Sequence, residues 1–218
     1  MSTIERPRLR RLNLGCAGIT MTPAEFDAIR HVDDRFRYEL IQGVVIVSRF
    51  PAFGERDPNA ELERRLRNHF EATPDSTFDV TFSECYVYCG ANRRRADRLV
   101  WAGFGRLPDP EVDIPTIAIE FVSQSKRDWL RDYEEKRVEY LTYGIAEYWV
   151  INRFARTMTV FQRPPAEPSE IVIPEDGTYA SPLLPGFELP LAALLKKADL
   201  WPPKTRRSKR MPGIDPVA

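Results

Sequence analysis

Apolar and polar positions along the 218-residue chain change period several times, and each change marks an element. Thr22-Pro23-Ala24-Glu25 reads as a helix start, with Thr22 as N-cap, Pro23 at the first helical position and Glu25 completing a capping box. This helix is expected to carry Phe26 and Ile29 inward and to end near Asp33. YELIQGVVIVS, residues 38–48, is rich in Val and Ile and predicts a strand kinked or turned near Gly43. Residues 57–71 predict a second helix, capped by Asp57, started by Pro58 and striped by Leu62, Leu66 and Phe70. TFDVTFSECYVYC and ADRLVWAG predict two strands joined by a turn around Gly90-Ala91-Asn92. TIAIEFVS, 116–123, is apolar almost throughout, as a central strand covered on both faces would be.

A long helix is predicted from Asp128 to Tyr143, closed by Gly144 at C′. EYWVIN (147–152) follows as a buried strand with TMTVFQR (157–163) as its hairpin partner. Loops are expected over 164–190, where many of the 19 prolines fall, with short strands at 171–173 and around Phe187. LAALLKKA closes the body as a short helix. Strand–helix–strand over 116–152 implies a parallel pair with a right-handed crossover, so the class is α/β with a mixed sheet.

Composition narrows the function. Lys plus Arg number 32 and Asp plus Glu 32, for a net charge of zero, which excludes a globally basic nucleic-acid coat but not a local basic patch. No apolar run approaches the roughly 20 residues that cross a bilayer, and no secretory leader is expected. Cys16, Cys85 and Cys89 are read as reduced thiols of a cytoplasmic protein, since Cys85-x3-Cys89 without a nearby His fits no common zinc box. Residues 1–20 and 200–218 are basic and are expected to be tails around a single body, 21–199; they are solvated ends or phosphate-binding arms.

Four residues carry candidate chemistry. Glu120 lies in the middle of I-A-I-E-F-V. A lone buried carboxylate must be paired, protonated or bound to a metal, unless it reaches solvent at the sheet's end. Lys136 sits at the centre of a stripe formed with Trp129, Tyr133, Tyr140 and Tyr143, within roughly 40° of one line at about 100° per residue. It either snorkels out past the aromatics or points at Glu120. Asp97 heads the strand ADRLVW after Arg93, Arg94 and Arg95, as a turn residue or a ligand. Glu39 stands among strongly apolar neighbours, at an edge or in a site. Together, three acids and a lysine make a hard-oxygen site suited to Mg²⁺ or Mn²⁺.

The segments YELIQG (38–43), Ala96-Asp97, IEFVSQS (119–125), Asp132-x3-Lys136-x3-Tyr140, GIAEYWVIN (144–152) and PGFELPLAALL (185–195) resemble the Uma-type family, assigned as restriction endonucleases within the PD-(D/E)XK nuclease superfamily. The resemblance spans residues 21–196. It implies a restriction-endonuclease-like core, a mixed β-sheet flanked by helices, Mg²⁺-dependent hydrolysis of DNA phosphodiesters, and a homodimer. It further implies Asp97 and Glu120 as metal ligands, Lys136 as the lysine moved from strand to helix (Val122 stands where the superfamily motif has Lys), and Glu39 as the early acid. Ala96 replaces the family's usual Pro, Asn59 stands where a His is common, and the stretch from Ser123 to Asp132 is somewhat longer than usual. Two other classes remain open: a catalytically silent binding or assembly module with the same fold, and a metal-dependent hydrolase of a small phosphate ester. The segment 101–113 is a substrate-facing loop or a plain connection.

Overall fold

The computed structural model describes residues 9–73, 76–123 and 130–202. Residues 1–8 of the expected N-terminal tail, residues 203–218 of the C-terminal one, and the segment 124–129 with Trp129 lie outside the described residues. Six strands form one sheet: β5 (Phe78–Val87), β6 (Arg94–Ala102), β7 (Ile117–Phe121), β8 (Glu147–Asn152), β9 (Thr157–Gln162) and β10 (Glu170–Pro174), in the order β10-β9-β8-β7-β6-β5. Within this sheet only β7 and β8 pair in parallel; its other neighbours are antiparallel. This is the mixed α/β sheet expected. The apolar run at 117–121 is buried at all five positions because it lies inside the sheet with a layer on each face.

Two helices cover one face, α2 (Phe53–Ala72) and the C-terminal helix Leu191–Asp199. Their Leu62, Leu66, Leu191, Leu194 and Leu195 pack on Ile117, Ile119, Phe121 and Ile151. The other face holds α3 (Lys136–Tyr143), entered through a π-helical turn at Arg131–Glu135, with Tyr140 against Leu99, Ala118, Tyr148 and Val150. Gly144, at φ +126°, ends α3 in backbone that L side chains rarely adopt. The odd and even positions of β7 therefore face different cores, and Glu120 falls on the α3 side.

The expected strand 38–48 is a hairpin, β3 (Phe36–Ile41) and β4 (Val44–Arg49), because Gln42 and Gly43 both take positive φ and close a two-residue turn. It is bridged to the main sheet through Leu40 and Arg93. The first helix, α1 (Pro23–Asp27), has the expected capping box: Thr22 N donates to Glu25 at 2.7 Å and Glu25 N to Thr22 at 3.2 Å. It ends at Asp27 rather than Asp33, because His31 and Val32 form β2 and pair in parallel with β1 (Arg11–Leu12). Residues 9–20 accordingly join the body, and Leu12 and Cys16 are buried beside Phe26, Tyr38 and Val45.

Two features of α2 differ from expectation. It begins at Phe53, with Pro58 inside it, and Asp57 is no cap: its carboxylate accepts from the indole of Trp201. Glu55 takes the capping role by accepting from Ala52 N at 2.6 Å. Phe70, expected inward, is 45% exposed at the helix's far end. The short strands β11 (Thr178–Ala180) and β12 (Glu188–Pro190) pair with each other. They are tied to the sheet by Glu147, whose buried carboxylate accepts from Tyr179, Ser181 and Trp149 at 2.8–2.9 Å. All three cysteines are free.

Candidate active site

The site forms where β6 enters the sheet and β7 leaves it. Arg98 is paired with Ile119 in antiparallel register, so Asp97 and Glu120 are the next positions along and share a face. Both are buried. Asp97 Oδ2 accepts from the Phe121 amide at 2.8 Å, and Oδ1 from the Arg37 guanidinium at 3.1 Å. Its main-chain carbonyl accepts from Asn59 of α2 at 2.9 Å, while Asn59 Oδ1 accepts from Arg98 at 2.6 Å. Asn59 thus secures the strand that carries Asp97.

Glu120 Oε1 accepts from Lys136 Nζ at 2.7 Å, and the Tyr140 hydroxyl lies 3.5 Å away. Lys136 is wholly buried and does not snorkel; its ammonium also donates to the Arg95 carbonyl at 3.3 Å. Burial pushes the Glu120 carboxyl up to about 8; Lys136 opposes this, and the negative charges of Asp97 and Asp132 reinforce it. Glu39 joins from β3 by accepting from the Arg95 amide at 2.9 Å. Burial would raise its carboxyl, but the charge of Lys136 and the Arg95 N–H outweigh burial and hold it below the ordinary range. The four residues singled out in the sequence are therefore brought to one place, with the Arg95 main chain between Glu39 and Lys136.

Three further residues belong to this place. Asp132 is buried one helical turn before Lys136, 3.9 Å from its ammonium, and its Oδ1 accepts from Arg131 at 2.9 Å. Burial raises its carboxyl against the pull of Lys136 and Arg131. Its signal in the sequence is the Asp132-x3-Lys136 spacing, two opposite charges at i, i+4. Arg37 reaches in from β3 and lies 3.0 Å from Glu84 as well as 3.1 Å from Asp97. Glu84, at φ +56°, occupies the unpaired step of β5 between Ser83↔Arg98 and Cys85↔Ala96. Burial raises its carboxyl, with Arg37 opposing. Neither Arg37 nor Glu84 has a sequence signal, because their roles depend on strands far apart in the chain.

The donor set fits a hard divalent cation. Two buried carboxylates stand side by side, and Glu120 holds its proton unusually well, so it sits in a negative, poorly solvated potential that a cation would offset. Among the described residues no three His, Cys, Asp or Glu side chains converge as one ligand cluster. Asp109 and Glu111 of the 101–113 connection line a cleft with Glu84, Cys85, Tyr86 and Tyr88. Among the described residues no helix is long and apolar enough to cross a membrane.

A solved structure from Anabaena variabilis, described as a "putative nuclease belonging to DUF820", is similar in fold. It shares 18% identity at a TM-score of 0.66, over 82% of this chain and 99% of that one. The type IIG restriction endonuclease BpuSI matches at 15% identity and a TM-score of 0.34, over 68% of this chain and 16% of its own. No curated protein matches. The Uma2 family model, described as "Putative restriction endonuclease", matches residues 23–192, and the chain belongs to that family.

Proposed function

We propose that this protein is a Mg²⁺- or Mn²⁺-dependent endonuclease that hydrolyses phosphodiester bonds of DNA, with Asp97 and Glu120 as metal ligands. The observation that carries the reading is the Lys136–Glu120 contact of 2.7 Å, fully buried and one register step from Asp97. Bound there, the cation would supply Lewis-acid activation and charge compensation at the scissile phosphate. Lys136 Nζ, held by Glu120 and the Arg95 carbonyl, would hydrogen-bond an attacking water or a phosphate oxygen. Glu39 fixes the Arg95 main chain on which Lys136 rests. Hydrolysis joins the water oxygen to phosphorus and breaks a P–O bond, and the leaving oxygen takes a proton. We place the protein in the cytoplasm as a homodimer, on the reduced cysteines and the family resemblance.

The test is cleavage of supercoiled, linear and branched DNA, and of RNA, with Mg²⁺, Mn²⁺ or EDTA. Metal-dependent cutting of DNA that Glu120→Gln abolishes is expected. No cutting of any substrate, together with no divalent-ion binding, overturns it. One observation favours a silent assembly module: each oxygen of Asp97 already accepts an internal hydrogen bond. In that case Mg²⁺ leaves the melting temperature unchanged.

A further inference from the structure

The start of α2 carries an aromatic and basic surface that the proposed chemistry does not use. The Phe53 ring stacks on the Trp201 indole, with centroids 4.8 Å apart and planes 27° from parallel. Both rings are open to solvent, Phe53 at 59% and Trp201 at 41%. The Arg56 guanidinium lies 5.5 Å from the Phe53 centroid, and that of Arg153 lies 5.3 Å from the exposed ring of Phe154. Trp201 is anchored: its Nε1 donates to Asp57 at 2.9 Å, and its carbonyl accepts from Arg153. Arg153 in turn lies across Gly54, where a Cβ would fall 1.3 Å from Nη1. A side chain at position 54 would therefore push the Arg153 guanidinium out of its place beside Trp201.

Three further facts bear on what the surface meets. Among the described residues neither Arg56 nor Arg153 has an ion-pair partner, and Asp57 Oδ2 is engaged by Trp201. The sequence after Pro202, outside the described residues, contains Lys204, Arg206, Arg207, Lys209 and Arg210. Gly54, Glu55 and Arg153 also share a cavity wall with Phe121 and Val122, the two residues after Glu120. The surface therefore stands at the same end of the sheet as the carboxylates. Anchored, exposed rings beside guanidiniums that have no carboxylate partner among the described residues suit a strand with bare bases and phosphates. In a duplex the base faces are covered by their neighbours in the stack.

We infer that Phe53, Trp201, Arg56 and Arg153 form a docking platform for single-stranded DNA, in which the rings stack on unpaired bases and the guanidiniums take phosphates. The platform deepens the proposed endonuclease function, on which its role rests, by naming unpaired DNA as the substrate class. The test measures binding of the full chain in EDTA, by anisotropy of labelled oligo(dT), of its duplex with oligo(dA), and of oligo(U), with sedimentation alongside. Oligo(dT) is expected to bind more tightly than the duplex. Phe53→Ala, a change at an exposed ring, is expected to weaken oligo(dT) by about tenfold at unchanged melting temperature. Arg56→Gln is expected to flatten the salt dependence. Oligo(dT) affinity unchanged in both Phe53→Ala and Trp201→Ala overturns the inference. So does a preference for oligo(U), or a dimer that Phe53→Ala dissociates. Metal-dependent cutting with platform variants that bind as the wild type sinks the platform and leaves the endonuclease standing. Platform-dependent binding without cutting under any cation does the reverse.

Discussion

Arg37 and Asp97, sixty positions apart, share a charge-assisted bond of 3.1 Å at the buried end of the sheet. The same guanidinium lies 3.0 Å from Glu84, so one cation compensates two carboxylates from different strands. The neighbouring acids hold it protonated more firmly than an ordinary arginine, against the opposing effect of burial.

Arg37→Ala leaves Asp97 and Glu84 without that charge. In EDTA it is expected to cost about 3–5 kcal/mol, the usual scale for breaking a buried pair. Saturating Mg²⁺ should then restore more stability to the variant than to the wild type, because the ion no longer competes with a guanidinium for Asp97. Thermal melts of both proteins with and without Mg²⁺ check this. Equal Mg²⁺ shifts would show that Arg37 does not stand in the cation's way.

Lys136→Met tests the other buried pair. Lys136 lowers the Glu120 carboxyl, so its loss drives Glu120 further up and keeps it protonated through neutral pH. A raised acid means that the folded state holds a proton the unfolded chain has released. Stability then falls as pH rises from the ordinary carboxylate range toward the folded value. The variant is expected to lose little at pH 6 and roughly 3–5 kcal/mol where Glu120 must ionise. Hydrolysis should drop 10²–10⁴-fold at every pH, the scale of one positioned group. Denaturant melts at pH 6 and 9 measure the first effect. A loss independent of pH would mean that Glu120 is charged throughout.

Much of this site was legible before the fold. An acid inside a wholly apolar strand and a lysine inside an aromatic stripe each violate the local pattern, and such violations collect at functional sites. Glu120 and Lys136 were found that way. Arg37 and Glu84 were not, because an arginine in a short strand and a glutamate beside a cysteine violate nothing. Their meaning comes from strand pairing and from a positive φ at Glu84. The start of α2 was misplaced for a related reason. Asp57-Pro58 is a good local start signal, but the helix starts five residues earlier at Phe53, with Glu55 accepting from the Ala52 N–H, and Asp57 is drawn off by Trp201 from the far end of the chain.

Asn59 connects those two layers and predicts a stability effect without a charge change at the acids. Its amide donates to the Asp97 carbonyl, and its oxygen accepts from Arg98, which is 1% exposed. Asn59→Ala leaves a buried guanidinium N–H and a buried carbonyl short of partners and is expected to cost about 2–4 kcal/mol. Asn59→Asp keeps the acceptor for Arg98 but loses the donor to Asp97, so it should cost less. Urea melts order the three proteins. An alanine variant as stable as the wild type would mean that water replaces both bonds.

Proton linkage separates metal binding at Glu120 from binding elsewhere. With its carboxyl pushed up to about 8, Glu120 carries a proton in the cation-free protein at neutral pH, and a divalent ion must displace it. Mg²⁺ binding at pH 7 is therefore expected to release close to one proton. The apparent affinity should rise about tenfold per pH unit up to about 8 and level off above it. Calorimetry in two buffers of different ionisation enthalpy counts the proton directly. In Glu120→Gln, residual binding should be weaker and should release no proton at pH 7. Proton release that persists in that variant would assign the linked group to Asp132 or Glu84 and remove Glu120 from the metal's ligands.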